Sequence, residues 1–410
     1  MDYDVIIIGA GPIGLCLAKA LADESFSVAV VERLSQAELA DPAFDGREIA
    51  LTHASMRLLR ELDVWQRLPQ EAMSSLRAAQ VMNGSSPYSL HVDSAMTGKT
   101  RLGCLVPNHL IRRAAWRTAH RTPGITFHTG VVVGKAHADE TQAWVQLENG
   151  VRLQARLLVA ADSRFSETRR ALGIDADMHD FGKSMLVCRM QHAVKHSQTA
   201  WEWFGHDQSL ALLPLDEYRA SVALTVTGEQ AQALGQMPEA DFNDEIARRF
   251  EHRLGAMQLD SSRHVYPLVG VYARRFVGPR FALAGDAAVG MHPVTAHGFN
   301  LGLAGVERLV EAINHGIGQG LDIGDKAMLA RYQRRHRRGT LPLYTVTRAI
   351  VELYTNDRPA AHRLREAGLR AAGKLKIFQH ALAATLADEG PRDASLGQRL
   401  RALSPFTLGR

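Results

Sequence analysis

The sequence predicts an α/β protein in which a Rossmann-like domain is interrupted by an inserted antiparallel sheet and followed by carboxyl-terminal helices. Three observations support this fold class. Residues 3–32 alternate a buried strand, a glycine-rich turn, a helix and a second buried strand. Residues 181–226 contain short β-type apolar runs, and the residues after 298 show helical spacing. Alternating strands and helices indicate a parallel sheet, whereas consecutive strands indicate a separate antiparallel lobe.

The composition is that of an ordinary globular protein. Of 410 residues, 46% are hydrophobic and 22% are charged, which allows two or three domains with a core. The cysteines, at 16, 104 and 188, lie far apart without CxxC spacing, so neither a disulfide framework nor a metal site is expected. They favour a reducing, cytoplasmic compartment. The amino end lacks a signal-peptide pattern, and no apolar run has the length of a membrane span.

The positive charge is modest and is concentrated late in the chain. The net charge is +5, and five arginines fall within eight residues: Arg331, Arg334, Arg335, Arg337 and Arg338. A solvated helix face is the favoured interpretation, and an anionic membrane surface is the alternative. Aromatic residues do not interleave with this basic run, so no nucleic-acid partner is predicted.

The first strand-helix-strand unit has the pattern of a dinucleotide-binding fold. A buried apolar run at residues 3–8 is followed by GAGPIG, a GxGxxG turn that opens a helix. We expect Gly9 to make the tight turn, Gly11 to admit a pyrophosphate, and Gly14 to let the helix pack on the strand. A second strand ends at Glu32, eighteen residues after Gly14, where a carboxylate would accept hydrogen bonds from an adenosine ribose.

Side chains near two further helices are candidates for phosphate contacts. Arg47 precedes an amphipathic helix, where neutralising phosphate or ribose oxygens and lying as a surface arginine are equally compatible with its position. A later helix begins at Asn108 and carries Arg112. Beyond an Asn149-Gly150 turn, an apolar strand at residues 157–160 ends just before Asp162.

The middle of the chain is predicted to form the inserted sheet. Apolar runs at 184–190, 201–204, 210–215 and 218–226 precede an amphipathic helix near 242–254 and strands at 264–267 and 271–276. The predicted domains are 1–175 and 269–325 for the two parts of the first domain, 176–268 for the inserted sheet, and 326–410 for a helical region. Helices are expected at about 298–314, 325–353 and 359–386, with a loose tail after Pro391.

Residues 281–303 are predicted to form a strand, a turn and a helix that bind a ligand. A buried strand ends in Gly285-Asp286, and the helix begins near Gly298. Open α/β sheets bind ligands at the carboxyl ends of their strands. Amides at the start of the helix would attract an anionic group. An ordinary strand-turn-helix connection is the alternative on these residues alone.

Three motifs make the sequence similar to the FAD-dependent aromatic hydroxylases, the class A flavoprotein monooxygenases. They are residues 9–14 with Glu32, the segment DSRFSETR at 162–169, and GD at 285–286 with HP at 292–293 and GFNL at 298–301. Within that family, REIAL at 47–51 and GFNLGL at 298–303 resemble the ubiquinone-biosynthesis hydroxylases (the UbiH, UbiF, UbiI and UbiM group), and TAHG at 295–298 resembles the UbiM branch. Ser163 and His297 depart from the family, which usually has Gly and Gln there.

The resemblance implies a GR2-type FAD-binding domain with an inserted substrate domain, and it assigns cofactor contacts. Those implied for the nucleotide half of FAD are Gly9, Gly11, Gly14, Glu32, Arg33, Arg47, Asn108, Arg112 and Asp162. Asp286 would bind the ribityl chain, and Pro293 would lie beside the isoalloxazine. Gly298, Asn300 and Leu301 would face the pyrimidine edge of the ring, where the helix dipole stabilises the anion of reduced flavin.

The resemblance also implies a monooxygenase reaction. NADH or NADPH would bind transiently, reduce the flavin and leave. Reduced flavin would react with O₂ to form a C4a-hydroperoxide, whose distal oxygen passes to an electron-rich phenol. His297, as an acid or base, and Pro293 are the candidate catalytic residues.

The implied substrate is a polyprenylated phenol or quinone precursor in ubiquinone biosynthesis. Its isoprenoid tail would require a peripheral contact with the inner membrane or a biosynthetic complex, through the basic run or residues 375–386; packing of these helices on the FAD domain is the alternative. Hydroxylation of a small soluble phenol and a flavin- or lipid-binding subunit without turnover stay open, as does assembly into a homo-oligomer. The candidate pocket residues are Trp201, Trp203, Leu212, Pro214 and Tyr218, although a core position is the favoured interpretation for each one taken alone.

Overall fold

Strands and helices alternate in a computed structural model that describes residues 2–205, 207–354, 364–370 and 376–387. The strands are β1 (Tyr3–Ile8), β2 (Val28–Glu32), β3 (Glu48–Leu51), β4 (Ser74–Leu76), β5 (Ala78–Asn83), β6 (Ser89–Asp93), β7 (Gly103–Pro107), β8 (Ile125–Thr129), β9 (Val133–Ala138), β10 (Ala143–Leu147), β11 (Arg152–Ala160), β12 (Ala176–His192), β13 (Thr199–Phe204), β14 (Ser209–Pro214), β15 (Arg219–Val226), β16 (Met257–Leu259), β17 (His264–Ala273), β18 (Val277–Gly278), β19 (Phe281–Leu283) and β20 (Val289–Gly290). The helices are α1 (Pro12–Asp23), α2 (Gln36–Ala40), α3 (His53–Glu61), α4 (Asn108–Ala119), α5 (Glu167–Ala171), α6 (Gly228–Gln236), α7 (Glu239–Arg249), α8 (Gly298–Ile317), α9 (Lys326–Tyr354), α10 (364–370) and α11 (Lys376–Ala387).

The first sheet has a parallel centre. Its order is β18-β19-β11-β1-β2-β8, with β10 and β9 continuing from β11, and the strands from β19 to β8 run parallel. The apolar runs of β1, β2 and β11 are buried on both faces, which explains why they lack polar alternation. Ile8 lies opposite both Val31 and Ala160, so the residues that follow these strands meet at one edge of the sheet.

The second sheet is mainly antiparallel, in the order β20-β17-β12-β15-β14-β13-β5-β6. Its back face carries alternate apolar residues that pack under α6 and α7, among them Cys188, Trp203, Leu212 and Val222. Two of its strands, β5 and β6, come from residues 78–93, within the range predicted for the first domain. The partner of β5 is β13, where Thr199 lies opposite Ala78, so no local pattern in the sequence indicates this pairing.

The carboxyl-terminal helices cover both sheets. Two of the five clustered arginines of α9 turn toward the protein: Arg335 pairs with Glu311, and Arg337 donates to the carbonyls of Ala273 and Arg274. Arg334 and Arg338 are exposed. The solvated-face interpretation of the basic run therefore holds for only part of it.

The last described helix packs on the second sheet. Ala383 of α11 is buried in a cluster with Leu90 and Val92 of β6, and His380 Nδ1 lies 3.1 Å from the Met96 carbonyl oxygen. Of the two alternatives for residues 375–386, the described helix α11 packs on the protein, against residues that lie within the predicted first-domain range 1–175 but belong to the second sheet. The predicted tail after 391 lies outside the described residues.

Candidate functional site

The glycine-rich turn and the end of β11 touch each other. Gly9 has φ +106°, and a Cβ added to it would lie 2.5 Å from the Ala161 carbonyl oxygen and 2.8 Å from Asp162 Cα. A Cβ on Gly14 would collide with the carbonyl oxygen of Gly9. A Cβ on Gly11, by contrast, would meet no protein atom within 4 Å. Gly9 and Gly14 are thus required by packing within the protein, whereas Gly11 borders open space at the start of α1.

Ile13 joins α1 to the segment around residue 285. A Cβ on Gly302 of α8 would lie 2.8 Å from Ile13 Cδ1, and one on Gly285 would lie 3.2 Å from Ile13 Cγ2. Gly285 has φ +59°, the left-handed region that favours glycine. Small residues at these positions bring the starts of α1 and α8 to the same edge of the first sheet.

Glu32 is fixed by the main chain at the end of β2. Its Oε2 accepts a 2.7 Å hydrogen bond from the Ala10 amide, and its Oε1 accepts one of 3.0 Å from the Leu34 amide. Each carboxylate oxygen has a further lone pair, so Glu32 retains the capacity to accept two ribose hydroxyls. Arg33, next to it, is exposed.

The segment after β11 is bonded to the turn after β19. Arg164 donates to Asp286 Oδ2 at 2.9 Å, and the buried Arg169 donates to the Ala287 carbonyl at 2.9 Å. Asp162 Oδ2 accepts from the Ser166 hydroxyl, whereas its buried Oδ1 has no hydrogen-bond partner in the structure. A buried, unsatisfied carboxylate oxygen is costly unless a ligand donates to it.

Asn300 fixes the start of α8. Its side-chain oxygen accepts from the Thr52 amide at 3.1 Å, and its nitrogen donates to the carbonyls of Ala50 and Ala296. These contacts use its amide within the protein, so the structure gives Asn300 a positioning role. A Cβ on Gly298 would meet nothing within 4 Å, so the first turn of α8 opens on free space. The first amides of a helix lack intrahelical acceptors and attract anionic groups.

The two histidines of the third motif are both buried, whereas Pro293 is exposed. Burial, with Arg164 nearby, lowers the pKa of His292 to about 4, so this ring is neutral near pH 7. Its Nδ1 accepts from the Val294 amide, and its ring lies edge-on to Phe181. His292 therefore shapes the loop before α8. His297 is the residue that immediately precedes α8.

Asp45, which sequence reasoning missed, organises the candidate phosphate contacts. Its Oδ2 accepts from Arg47 at 2.6 Å and from Asn108 Nδ2 at 2.7 Å. Burial works to raise the pKa of Asp45, but Arg47 and Asn108 outweigh it and hold the pKa below its ordinary value. Arg112, half-buried, makes no hydrogen bond or ion pair with another described residue. The signal in the sequence was the acid two residues before Arg47.

A buried ion pair joins β3 to the second sheet. Arg189 Nε donates to Glu48 Oε1 at 2.9 Å, and its Nη2 donates to the same oxygen at 2.5 Å. The Glu48 side chain is fully buried, and its Oε2 has no partner. Burial raises the pKa of Glu48 to about 6 despite the attraction of Arg189. This pair fixes the second sheet to a third sheet, which has three strands in the order β3-β7-β4.

These residues fit an extended dinucleotide. Glu32 has acceptor capacity for a ribose, Gly11 borders open space at a helix start, and Asp162 has an oxygen without a donor. The first turn of α8 supplies a second site for negative charge on the same edge of the sheet. The fold and the convergence of three segments are those of a dinucleotide-binding α/β protein.

Comparisons with known proteins identify the family. The family model described as FAD binding domain matches residues 2–340. The ubiquinone hydroxylase UbiM of Neisseria meningitidis serogroup C is 42% identical over 375 residues, which are 90% of this chain and 81% of that protein. The ubiquinone hydroxylase UbiL of Rhodospirillum rubrum is 33% identical over 395 residues, 95% of this chain and 92% of that protein. The chain belongs to the ubiquinone hydroxylase family of FAD-dependent monooxygenases.

Solved structures agree on the fold. The p-nitrophenol 4-monooxygenase PnpA from Pseudomonas putida DLL-E4 is 19% identical, with a TM-score of 0.74 over 94% of this chain and 98% of that chain. The predicted family, fold class, FAD cofactor and enzyme class are thereby confirmed. The individual cofactor contacts, and the catalytic roles of His297 and Pro293, stay predictions.

Neither a metal-binding group nor a membrane-spanning helix is present among the described residues. Ranges 2–205, 207–354, 364–370 and 376–387 contain no group of three or more His, Cys, Asp or Glu side chains placed to hold a metal ion. Within the same ranges no helix is long and apolar enough to cross a membrane.

Proposed function

We propose that this protein hydroxylates the aromatic ring of a polyprenylated phenol in ubiquinone biosynthesis, with FAD as cofactor and NADH or NADPH as reductant. The proposal follows the printed functions of the UbiM and UbiL relatives. The observation that supports it is the partial exposure of the face of the second sheet opposite α6 and α7, which we take to border a recess beside the segments 9–14, 162–169 and 285–301 (the FAD segments). When bound, FAD reduced by the nicotinamide supplies activated oxygen; the chain must bind the ring, orient it and exclude water.

The recess is lined by the front face of the second sheet, the side opposite α6 and α7. Residues of this face lie near the middle of the sheet yet keep partial exposure, among them Val81, Met185, Ala211, Leu213 and Ala223. The residues between them along the strands are buried on the back face. Partial exposure in the middle of a covered sheet indicates a space for a ligand, and these side chains favour an apolar one.

The floor of the recess is the segment 45–51. Tyr266, on the front face, donates to the Asp45 carbonyl at 2.8 Å, and Val187 Cγ2 lies 2.8 Å from the position of a Cβ on Gly46. Asn300 bonds the Ala50 carbonyl of the same segment, so the recess extends toward the start of α8. A phenol bound here would lie between the front face and the candidate flavin edge.

Of the candidate pocket residues, those of β13 and β14 lie on the back face, in agreement with the core position that the sequence favoured for each of them. Trp203 and Leu212 are buried on the back face, and Trp201 packs there against Phe250 with ring centroids 6.4 Å apart. Pro214 shares their side of the sheet, and Tyr218 is 45% exposed. Because strand residues alternate between faces, the lining residues are their neighbours one position away. Large side chains such as Trp203 fill the closed core on the back face. Small side chains on the front face, such as Ala211 and Ala223, leave space for a ligand.

The test is oxygen incorporation by purified, FAD-loaded protein. With an ortho-prenylated phenol, NADPH and ¹⁸O₂, we expect a hydroxylated product that carries ¹⁸O. The same phenol without its prenyl chain should react at least about tenfold less efficiently, since each buried CH₂ contributes roughly 0.8 kcal/mol. NADH in place of NADPH identifies the reductant, and protein stripped of FAD is the control.

Each alternative has its own result. Oxygen derived from ¹⁸O-labelled water would refute monooxygenation. Equal efficiency on the phenol without a prenyl chain would indicate a hydroxylase of small soluble phenols. Yellow protein whose flavin is not reduced by either nicotinamide would indicate a subunit without turnover. Contact with a membrane or a biosynthetic complex and assembly into a homo-oligomer stay predictions; binding to anionic vesicles and sedimentation test them.

A further inference from the structure

The carboxyl of Glu202, on the front face, has no hydrogen-bond or ion-pair partner among the described residues. Glu202 lies in the middle of β13, with Ala200 and Phe204 on the same side of that strand. Opposite it are Val81 of β5 and Ala211 of β14. All four neighbours are apolar, and Glu202 makes no hydrogen bond or ion pair with any described residue.

Glu202 is partly exposed, as are Val81 and Ala211 beside it on the front face. Desolvation by the surrounding protein raises the pKa of its carboxyl from 4.5 to about 8. Near pH 7 the group is therefore mostly a neutral acid, with one O–H donor and a carbonyl acceptor.

Among the residues that the structure describes around Glu202, those named here bring no charge to its carboxyl. Tyr354 of α9 stacks on Phe204 with ring centroids 3.9 Å apart, and burial raises the pKa of its phenol, so it is neutral. Leu369 of α10 and Ala383 of α11, in the apolar cluster beside β6, are uncharged. Arg189 shares the front face, but it lies three strand spacings away, about 14 Å, and is paired with Glu48.

An unpartnered acid at this position lowers stability. Leaving a desolvated polar group without a hydrogen bond costs about 1–3 kcal/mol, whereas a leucine would match the apolar neighbours. The back-face neighbours Trp201 and Trp203 follow the expected alternation, so Glu202 is the residue of β13 that breaks the pattern. A residue that departs from the apolar pattern of its strand, and that gains no stabilising contact in exchange, is commonly one that contacts a ligand.

We propose that Glu202 binds the aromatic hydroxyl of the substrate, donating one hydrogen bond to it and accepting one from it. This inference rests on the proposed function, because it takes the recess to be the phenol site. A phenol offers one donor and one acceptor, which match a neutral carboxyl. The apolar side chains beside Glu202, such as Val81 and Ala211, would contact the ring and the start of the prenyl chain.

The experiment compares two ligands and two variants. FAD-loaded wild type, Glu202→Leu and Glu202→Gln are titrated with an ortho-prenylated phenol and with the same molecule lacking the hydroxyl, and flavin absorbance reports binding. Wild type should prefer the phenol by about tenfold, the worth of a net hydrogen bond. Glu202→Leu should lose that preference, and Glu202→Gln, which keeps a donor and an acceptor, should retain most of it.

A matched control lies one residue away on the opposite face. Trp203 donates from its indole nitrogen to the Gly84 carbonyl at 3.0 Å, so Trp203→Phe should lower stability without changing the preference between the two ligands. Retention of the preference by Glu202→Leu, or its absence from wild type, overturns the inference. Wild type that shows the preference but forms no ¹⁸O-labelled product refutes the proposed function alone.

Discussion

The FAD segments and the substrate recess are built in opposite ways. In the FAD segments, polar side chains are held by the main chain: Glu32 accepts from two amides, and Asn300 and Arg169 donate to carbonyls. In the recess, apolar residues from several strands surround the carboxyl of Glu202, which has no hydrogen-bond or ion-pair partner among the described residues. The cofactor region is pre-organised by hydrogen bonds, whereas the shape of the recess is set by the sizes of the apolar side chains that line it.

The difference has a physical reason. FAD presents phosphates and hydroxyls that need fixed donors and acceptors, and main-chain groups at helix starts and strand ends supply them without reorganisation. A prenylated phenol presents mostly apolar surface, which any set of apolar side chains of suitable volume accommodates. Substitutions in the two regions should therefore differ in whether they affect the cofactor, the stability or the ligand.

The largest effect is expected where the two regions meet, at the ion pair of Arg189 with Glu48. Arg189→Leu leaves the buried Glu48 carboxylate without its partner, and breaking such a pair costs about 3–5 kcal/mol. Denaturant unfolding of the FAD-loaded protein measures the loss. The double variant Arg189→Leu/Glu48→Gln removes the charge as well and should recover most of the stability; a double variant as unstable as the single one would contradict this account.

A smaller effect, confined to the cofactor region, is expected at two glycines of the first turn. Gly14→Val collides with the Gly9 carbonyl and should weaken FAD binding by about 100-fold, roughly 3 kcal/mol, with lower stability. Gly11→Ala meets no protein atom, so the unfolding temperature of the FAD-free protein should not change. Its FAD affinity should fall about tenfold, because the methyl group enters the pyrophosphate space. Fluorescence titration with FAD separates the two variants.

Unchanged FAD affinity in Gly11→Ala would contradict the placement of the pyrophosphate at the start of α1. Reduced stability in that variant, without FAD, would show that Gly11 is needed for packing, as Gly9 and Gly14 are.

The smallest effect is a pH dependence that belongs to the recess. Because the folded-state pKa of Glu202 is about 8, above its ordinary 4.5, the folded protein holds this proton more tightly than the unfolded chain. The stabilisation of the fold that comes from this tighter proton binding by Glu202 is complete below pH 4.5 and is lost as the pH rises toward 8. Glu202→Leu lacks this loss, so it should be more stable than wild type by an amount that grows between pH 5 and 8.

Unfolding free energies of both proteins at pH 5, 6.5 and 8 measure that difference. A difference that shrinks with rising pH would mean that Glu202 is an ionised, partnered carboxylate in the folded protein. The ligand-free protein is required, because a bound phenol would supply the missing partner.

Local pattern in the chain was enough to predict the strand, turn and helix that open the first domain. The strand ending at Ile8, the turn to Gly14 and the acid at Glu32 are contiguous features whose geometry follows from glycine conformation and strand burial. The turn at Asn149-Gly150 and the start of α8 near Gly298 were predicted for the same reason. Each depends on interactions between residues close in the chain.

The recess was decided by tertiary structure. The sequence offered Trp201, Trp203 and Leu212 as possible pocket residues and favoured a core position for each. The pairing of β13 with β5 and β14 and the packing of α7 decide for the core. Nor did any local pattern predict that Arg189 would pair with Glu48 across 141 residues. Alternation along a strand defines two faces, but only the elements packed on each face determine which is closed and which binds a ligand.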